Sequence, residues 1–186
     1  MTLDGKRVAI VTADDGVERV ELTHPRERLE REGAQVTHLT PDGGTVRTFD
    51  QTDPSETVEA DASIGGSDPG DFDLLVLPGG YINPDLLRRD DGAVSFVRAF
   101  VRDRKPIGVI CHGPWTLVEA DALRGRTLTA VSSLRTDIEN AGGHWVDEDV
   151  HVDRGEPLLV SGRNYEAVDE FAETLAREFS AALATA

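Results

Sequence analysis

The sequence predicts an α/β domain built on an open, mostly parallel sheet. Short, β-branched apolar runs alternate with longer stretches of helical spacing, the order that makes strand-helix-strand units. One such run, Ile107 to Ile110, feeds directly into Cys111-His112-Gly113-Pro114, which reads as a sharp strand-to-helix turn. The chain has 186 residues and no evident repeat, linker or low-complexity tract, so residues 1–186 read as one domain.

Lys6 to Ala13 reads as the first buried strand, with acidic, glycine-containing residues from Asp14 to Gly16 after it. A helix fits Glu18 to Glu32, with Gly33 as its stop and Pro25 as an irregularity suited to an early turn. Gln35 to Leu39 alternates as a second strand. The polar stretch Pro41 to Gly70 offers only Thr45–Phe49 and Thr57–Ala60 as short strands near a sheet edge. Phe72 to Leu77 is a core strand ending at Pro78-Gly79-Gly80. Gly92 to Arg104 has the apolar spacing of a helix, Pro106 to Ile110 is a buried strand, and Pro114 to Leu123 is the helix after it. Thr127–Val131 is a short strand and Leu134–Ala141 a helix. Val150–Val152 and Leu158–Ser161 pair as a hairpin, and an amphipathic helix runs from about Tyr165 to Leu183.

Charge narrows the partners. There are 35 acidic residues against 19 basic ones, a net of -16, and Lys6 and Lys105 are the only lysines. Such a surface repels nucleic acid and anionic membranes. It also fits a cytosol of high salt, where screening relieves self-repulsion. No apolar run approaches the ~20 residues of a membrane span. Met1 to Lys6 lacks the pattern of a signal peptide, so a cytoplasmic location is expected.

Cys111 is the only cysteine, which excludes an intramolecular disulfide and argues against a cysteine-based zinc site. A lone cysteine is commonly a small buried hydrophobe. Here its setting favours a nucleophile: a helix N-terminus presents amides and positive partial charge to the sulfur, which should lower its pKa. His112 can act as base, orient another group or pack, and its backbone amide is better placed than its ring to hold an oxyanion. Gly79 and Gly80 bare the backbone at the neighbouring strand end, so their amides are candidate oxyanion donors. Glu18 is either a helix-capping acid or a carboxyl near the thiolate, able to act as general acid and base. His24, His38, His144 and His151 are scattered without metal-ligand spacing and read as structural.

Several segments together resemble the PfpI/ThiJ family, the intracellular-peptidase-like branch of the DJ-one superfamily. They are Thr12-Ala13 through Glu18-Arg19-Val20-Glu21-Leu22, Leu75 to Gly80 with Pro84 to Arg88, Ile110 to Pro114, Leu123 to Arg126, Asp137 to Gly142 and Trp145 to Asp147. The resemblance implies a flavodoxin-like, glutamine-amidotransferase-like three-layer sandwich with a nucleophile elbow. It matches Cys111 to the nucleophile, His112 to the adjacent histidine and Glu18 to the glutamate touching the sulfur. Asp85 matches an acid that approaches the histidine from a neighbouring subunit, so a homo-oligomer (dimer, trimer or hexamer) is expected. No metal or organic cofactor is implied. The chain departs from the pattern at Val131-Ser132, where relatives often carry an aromatic residue and a proline, and in lacking a proline after Arg163.

The expected function is glyoxalase or deglycase chemistry on small 2-oxoaldehydes or their adducts, a stress-protective role in which Cys111 adds to the aldehyde and Glu18 moves a proton. The alternatives are a cysteine peptidase using His112 as base, acting on a peptide substrate, and a non-enzymatic stress sensor oxidised at Cys111.

The charge makes one prediction directly. With a net of -16 unscreened, compaction is disfavoured. The melting temperature should rise clearly from dilute buffer to molar salt; a flat or falling curve refutes the reading of a high-salt protein.

Overall fold

The computed structural model describes residues 2–184; Met1, Thr185 and Ala186, at the ends of the expected 1–186 domain, lie outside the described residues. In chain order the elements are β1 Arg7–Val11, β2 Asp15–Glu18, α1 Arg19–Arg31, β3 Gln35–Thr40, β4 Thr45–Asp50, β5 Asp53–Glu59, β6 Ala62–Ser63, β7 Leu74–Leu77, α2 Asn83–Leu87, α3 Asp91–Arg102, β8 Ile107–Ile110, α4 Pro114–Glu119, β9 Thr127–Leu128, α5 Arg135–Asn140, β10 His144–Trp145, β11 Val150–Asp153, β12 Leu159–Gly162 and α6 Val168–Ala184.

Seven strands form the central sheet in the order β11-β12-β8-β7-β1-β3-β6. Every neighbouring pair is parallel except β11 with β12, the hairpin. Alternation along each strand sends side chains to opposite faces. Val8, Ile10, Leu74 and Val76 pack with Leu22 and Leu29 of α1 and with Phe171, Leu175 and Phe179 of α6. Ala9, Val11, Leu75, Leu77 and Val109 pack with Val97 and Phe100 of α3, Leu117 of α4 and Ile138 of α5. The result is the expected three-layer α/β sandwich. No helix among the described residues is long and apolar enough to cross a membrane.

The polar segments hold more order than their composition announced. β2, β4 and β5 make a separate three-stranded sheet, β2 parallel and β5 antiparallel to β4. The segment expected as an acidic turn after β1 therefore contributes a strand, and α1 starts one residue later than expected. α4 is shorter than the predicted helix and ends at Glu119. α2 is a short helix that the apolar pattern did not reveal, opened by Asn83 with Pro84 in its first turn. Pro25 lies inside α1.

β8 needs a glycine beneath α6. A Cβ at Gly108 would collide with Cδ2 of Leu175. Gly108→Ala should therefore cost ~1–3 kcal/mol through overpacking. Leu175→Ala should cost ~2–5 kcal/mol through the cavity it leaves. Because the two atoms compete for one space, the double variant should lose clearly less than the sum in denaturant titrations. Strict additivity would contradict this packing.

Candidate active site

Three strand ends meet at one corner of the sheet: β1, running on through Thr12 and Ala13 into β2, β7 and β8. At the end of β8, Cys111 takes φ +61°. A side chain rarely occupies that left-handed region, and the turn is pinned by its neighbours. The Cys111 amide donates to Gly162 O at 3.0 Å, and the Gly113 amide donates to Ile110 O at 2.9 Å. The chain then enters α4 at Pro114. This is the strand-turn-helix junction read from the sequence. The sulfur is buried, with Cys111 7% exposed.

Glycines bring the end of β7 against that sulfur. A Cβ at Gly79 would lie 2.7 Å from Cys111 Cβ and 2.8 Å from a Glu21 carboxyl oxygen. Gly80, at φ +92°, passes so close to Gly16 and Glu18 that a side chain has no room. The backbone amides of Gly80 and His112 donate toward Sγ and favour the thiolate. The Gly79 amide does not join them, although the sequence put it among the oxyanion donors. It is committed to Glu21 Oε2 at 2.8 Å.

The carboxyl beside the sulfur belongs to Glu21, not to Glu18. Glu18 is the last residue of β2 and still extended, at φ -65° and ψ 118°. Its Oε2 accepts from the Gln51 amide at 2.8 Å, which holds it at the β2–β4 edge. Burial raises its pKa. Glu21 lies in the first turn of α1, fully buried, and interacts directly with the Cys111 thiol. Its second oxygen, Oε1, is buried with no hydrogen-bond partner. Burial above all, helped by the charge of Glu18 and opposed by the Gly79 bond, pushes the Glu21 pKa up to about 8. A sequence signal for Glu21 existed: positions 21, 25 and 29 recur every four residues, and Glu21, Pro25 and Leu29 all lie on the buried face of α1.

The same two forces act on Cys111. Burial and then the Glu21 carboxylate push the thiol well up, against the pull of the two amides. The expected lowering by a helix N-terminus does not win, because α4 is only six residues long and the thiol is out of water. Thiol and carboxyl form one coupled pair that resists holding two negative charges.

His112 turns toward the sulfur rather than away from it, with Nδ1 3.2 Å from Sγ. Burial lowers its pKa, so the ring is neutral near pH 7. Its ring packs between Tyr81, centroids 4.9 Å apart, and Trp115 at 5.4 Å. Tyr81 and Ile82 are exposed and line a small cleft of about 190 Å³ with Gly16, Phe49, Gln51 and Thr52. Asp85 sits on the exposed side of α2, and no hydrogen bond within the described residues joins it to His112. Three other histidines bind away from the sulfur. His24 pairs with Asp169, His151 with Glu148, and buried His38 with Thr12 Oγ1 at 2.7 Å.

Known proteins resemble this chain in sequence and in fold. The sequence profile of the DJ-1/PfpI family matches residues 6–178. The protein/nucleic acid deglycase 2 of Escherichia coli strain K12 is 37% identical over 166 residues, 89% of this chain and 93% of that one. The general stress protein 18 of Bacillus subtilis strain 168 is 39% identical over 167 residues, 90% of this chain and 94% of that one. A solved DJ-1 superfamily protein of Salmonella typhimurium superposes with a TM-score of 0.84 at 25% identity, covering 95% of this chain and 91% of that one.

Glu21 should be visible in the pH dependence of stability. Its carboxyl titrates near 4.5 when exposed and at about 8 in the fold, so folding takes up a proton between those values. Stability from the protonated, buried carboxyl is full below the lower value and is lost as pH rises through the upper one. Glu21→Gln keeps the shape and does not titrate. Its melting temperature should gain on the wild type between about pH 5 and about pH 8, by on the order of a few kcal/mol in stability. A gap that stays constant would show that Glu21 is not held protonated.

Proposed function

The chain belongs to the DJ-1/PfpI family, and on that premise we propose that it is a cofactor-independent cytoplasmic enzyme of small 2-oxoaldehydes or their early adducts, a glyoxalase or deglycase. The observation that carries this reading is the buried Cys111–Glu21 pair, with the Gly80 and His112 amides donating to the same sulfur. A nucleophile, an oxyanion site and an acid-base carboxyl converge there without a second domain.

The steps follow from those groups. The Cys111 thiol gives its proton to His112 Nδ1, and the sulfur bonds to the aldehyde carbon of methylglyoxal. The resulting oxyanion is held by the two amides and takes that proton back, leaving a hemithioacetal. Glu21 as carboxylate removes the hydrogen from this carbon, and the electron pair moves toward the neighbouring carbonyl. Glu21 returns the proton to the second carbon, the hydroxyl proton on the first carbon's oxygen passes to the oxygen of the second, and the first regains its carbonyl, now as a thioester. Water cleaves the thioester, releasing a 2-hydroxy acid and the thiol. The aldehyde carbon is oxidised and the ketone carbon reduced, so no external oxidant is needed. The cleft beside Tyr81 and Ile82 suits a substrate with a small apolar tail.

One observation favours a second reading. The His112 Nδ1 contact with Sγ is a cysteine–histidine pair of the kind a peptidase uses. In that reading Asp85 of a second copy orients His112 within a homo-oligomer, and a peptide replaces the aldehyde.

Methylglyoxal and an unstructured peptide should be assayed side by side. Cys111→Ala should abolish either activity. Glu21→Gln should cost methylglyoxal turnover ~100- to 10,000-fold, the usual contribution of an acid-base group. Glu18→Gln should cost far less, because that carboxyl faces Gln51. In the wild type, turnover should climb with pH toward about 8 as Glu21 ionises. Peptide cleavage that depends on His112 and survives Glu21→Gln would favour the second reading. Full methylglyoxal turnover by Glu21→Gln would remove the first.

A further inference from the structure

Asn83 is completely buried at the start of α2, and every hydrogen-bonding atom of its side chain is used. Its Oδ1 accepts from the Ala13 amide at 2.7 Å, which ties it to the end of β1. Its Nδ2 donates twice, to Pro78 O at 3.0 Å and to Gly79 O at 2.9 Å. Those carbonyls belong to two successive peptides at the end of β7.

In a trans peptide the carbonyl and the N–H point to opposite sides of the chain. The peptide whose carbonyl is Pro78 O carries the Gly79 N–H, and that N–H donates to Glu21 Oε2. The peptide whose carbonyl is Gly79 O carries the Gly80 N–H, and that N–H donates to Cys111 Sγ. One amide nitrogen thus holds both carbonyls on one side, and the two N–H groups face the carboxyl and the sulfur on the other. Glycines alone would leave these peptide planes free to rotate.

We propose that Asn83 is a positioning residue that sets the orientation of the Gly79 and Gly80 amides and thereby couples the end of β1 to both reacting groups. It touches neither substrate nor sulfur. The inference rests on the reading of Cys111 as the reacting sulfur and not on any particular substrate.

Two variants separate positioning from simple support. Asn83→Asp keeps the shape and the bond from Ala13 but loses the donors; Asn83→Ala loses them without adding charge. In both, alkylation of Cys111 by iodoacetamide should show its inflection at a higher pH than the wild type, since the Gly80 donor is no longer held in place. Methylglyoxal turnover should lose kcat ~100- to 1,000-fold with little change in KM, as for loss of one preorganised donor. A lowered melting temperature with an unmoved inflection would make Asn83 merely structural. A shift in Asn83→Asp alone would be a charge effect, and either result overturns the proposal. A wild type that does not act on methylglyoxal defeats the proposed substrate, while the alkylation profile still decides the role of Asn83. If neither variant folds, the wild type decides by nuclear magnetic resonance. The two Asn83 side-chain protons should exchange slowly with water, and the Gly79 and Gly80 amide signals should move together as the Cys111–Glu21 pair titrates. Fast exchange or independent movement would rule the proposal out.

Discussion

Everything at the candidate site depends on Cys111 being held at positive φ where β8 ends. That conformation costs on the order of 1–3 kcal/mol and persists only when the surroundings over-determine it. They do so from three directions. The β12 backbone receives the Cys111 amide, the tight turn through Gly113 fixes the exit into α4, and the side-chain-free end of β7 leaves space for the sulfur. The parallel order β12-β8-β7-β1 is what brings these strand ends side by side. The crevice beyond the carboxyl ends of such a sheet is where this architecture places ligands. The elbow is thus a consequence of the sheet, and the chemistry a consequence of the elbow.

The electrostatics follow from burial. A thiolate in water at a long helix would be stabilised by the helix dipole, but this sulfur sits out of water above a six-residue helix. Desolvation therefore dominates, and the amides of Gly80 and His112 supply the counterweight. Glu21 faces the same desolvation and holds its proton to about 8. Two weak acids in contact, each reluctant to ionise, make a pair across which a proton can move at little cost in net charge. Proton transfer to and from a bound carbonyl compound requires that property. Glu18 contributes from outside, by raising Glu21 through its charge while its own carboxyl is occupied by Gln51.

Periodicity made most of the sandwich legible. The apolar runs of β1, β7 and β8 and the helical spacing of α3 and α6 carry strong, repeated signals. The strand-to-helix elbow was readable because Cys111 follows a buried run and precedes Gly113 and Pro114. What escaped lies in polar sequence. β4 was legible as Thr45–Phe49 and the end of β5 as Thr57–Ala60, but β2 and the first half of β5 come from residues such as Asp15 and Glu56, whose composition says loop; backbone pairing, which any residue supplies, decides there. The substitution of Glu21 for Glu18 has a similar cause. A carboxylate read at the start of a helix, just beyond a strand end, looks functional and one further inside looks solvated, so position in the chain misled where the face of the helix would have informed. Gly79 was right as a bare backbone but its amide was assigned to the wrong acceptor. Which way a peptide plane faces is set by Asn83, a directly bonded side chain that no apolar periodicity announces.

Three departures from ordinary protein economy meet in this one corner. Cys111 carries the strained backbone, Glu21 brings a carboxyl into the core with an oxygen left unpaired, and Tyr81 and Ile82 expose large apolar surface. Elsewhere the sheet faces are apolar, the other non-glycine residues at positive φ, Gln51, Arg104 and Asp121, lie in exposed turns, and the polar groups are tied by arginine–carboxylate pairs such as Arg126–Asp153 and Arg28–Glu173. The other unpaired buried side-chain atoms among the described residues are hydroxyls of Thr40, Thr116 and Ser180, which cost less to bury than an acid. Departures of this kind are removed by selection unless they serve something, and they are expected to cluster where function outweighs stability. Under the proposed reading each also has a separate chemical use: strain presents the sulfur, the free Oε1 leaves an acceptor for a proton, and the exposed apolar rim gives a small carbonyl compound a surface to rest on. Their coincidence is stronger support for a working site than any one of them, because packing alone gives no reason for the three to share a strand end.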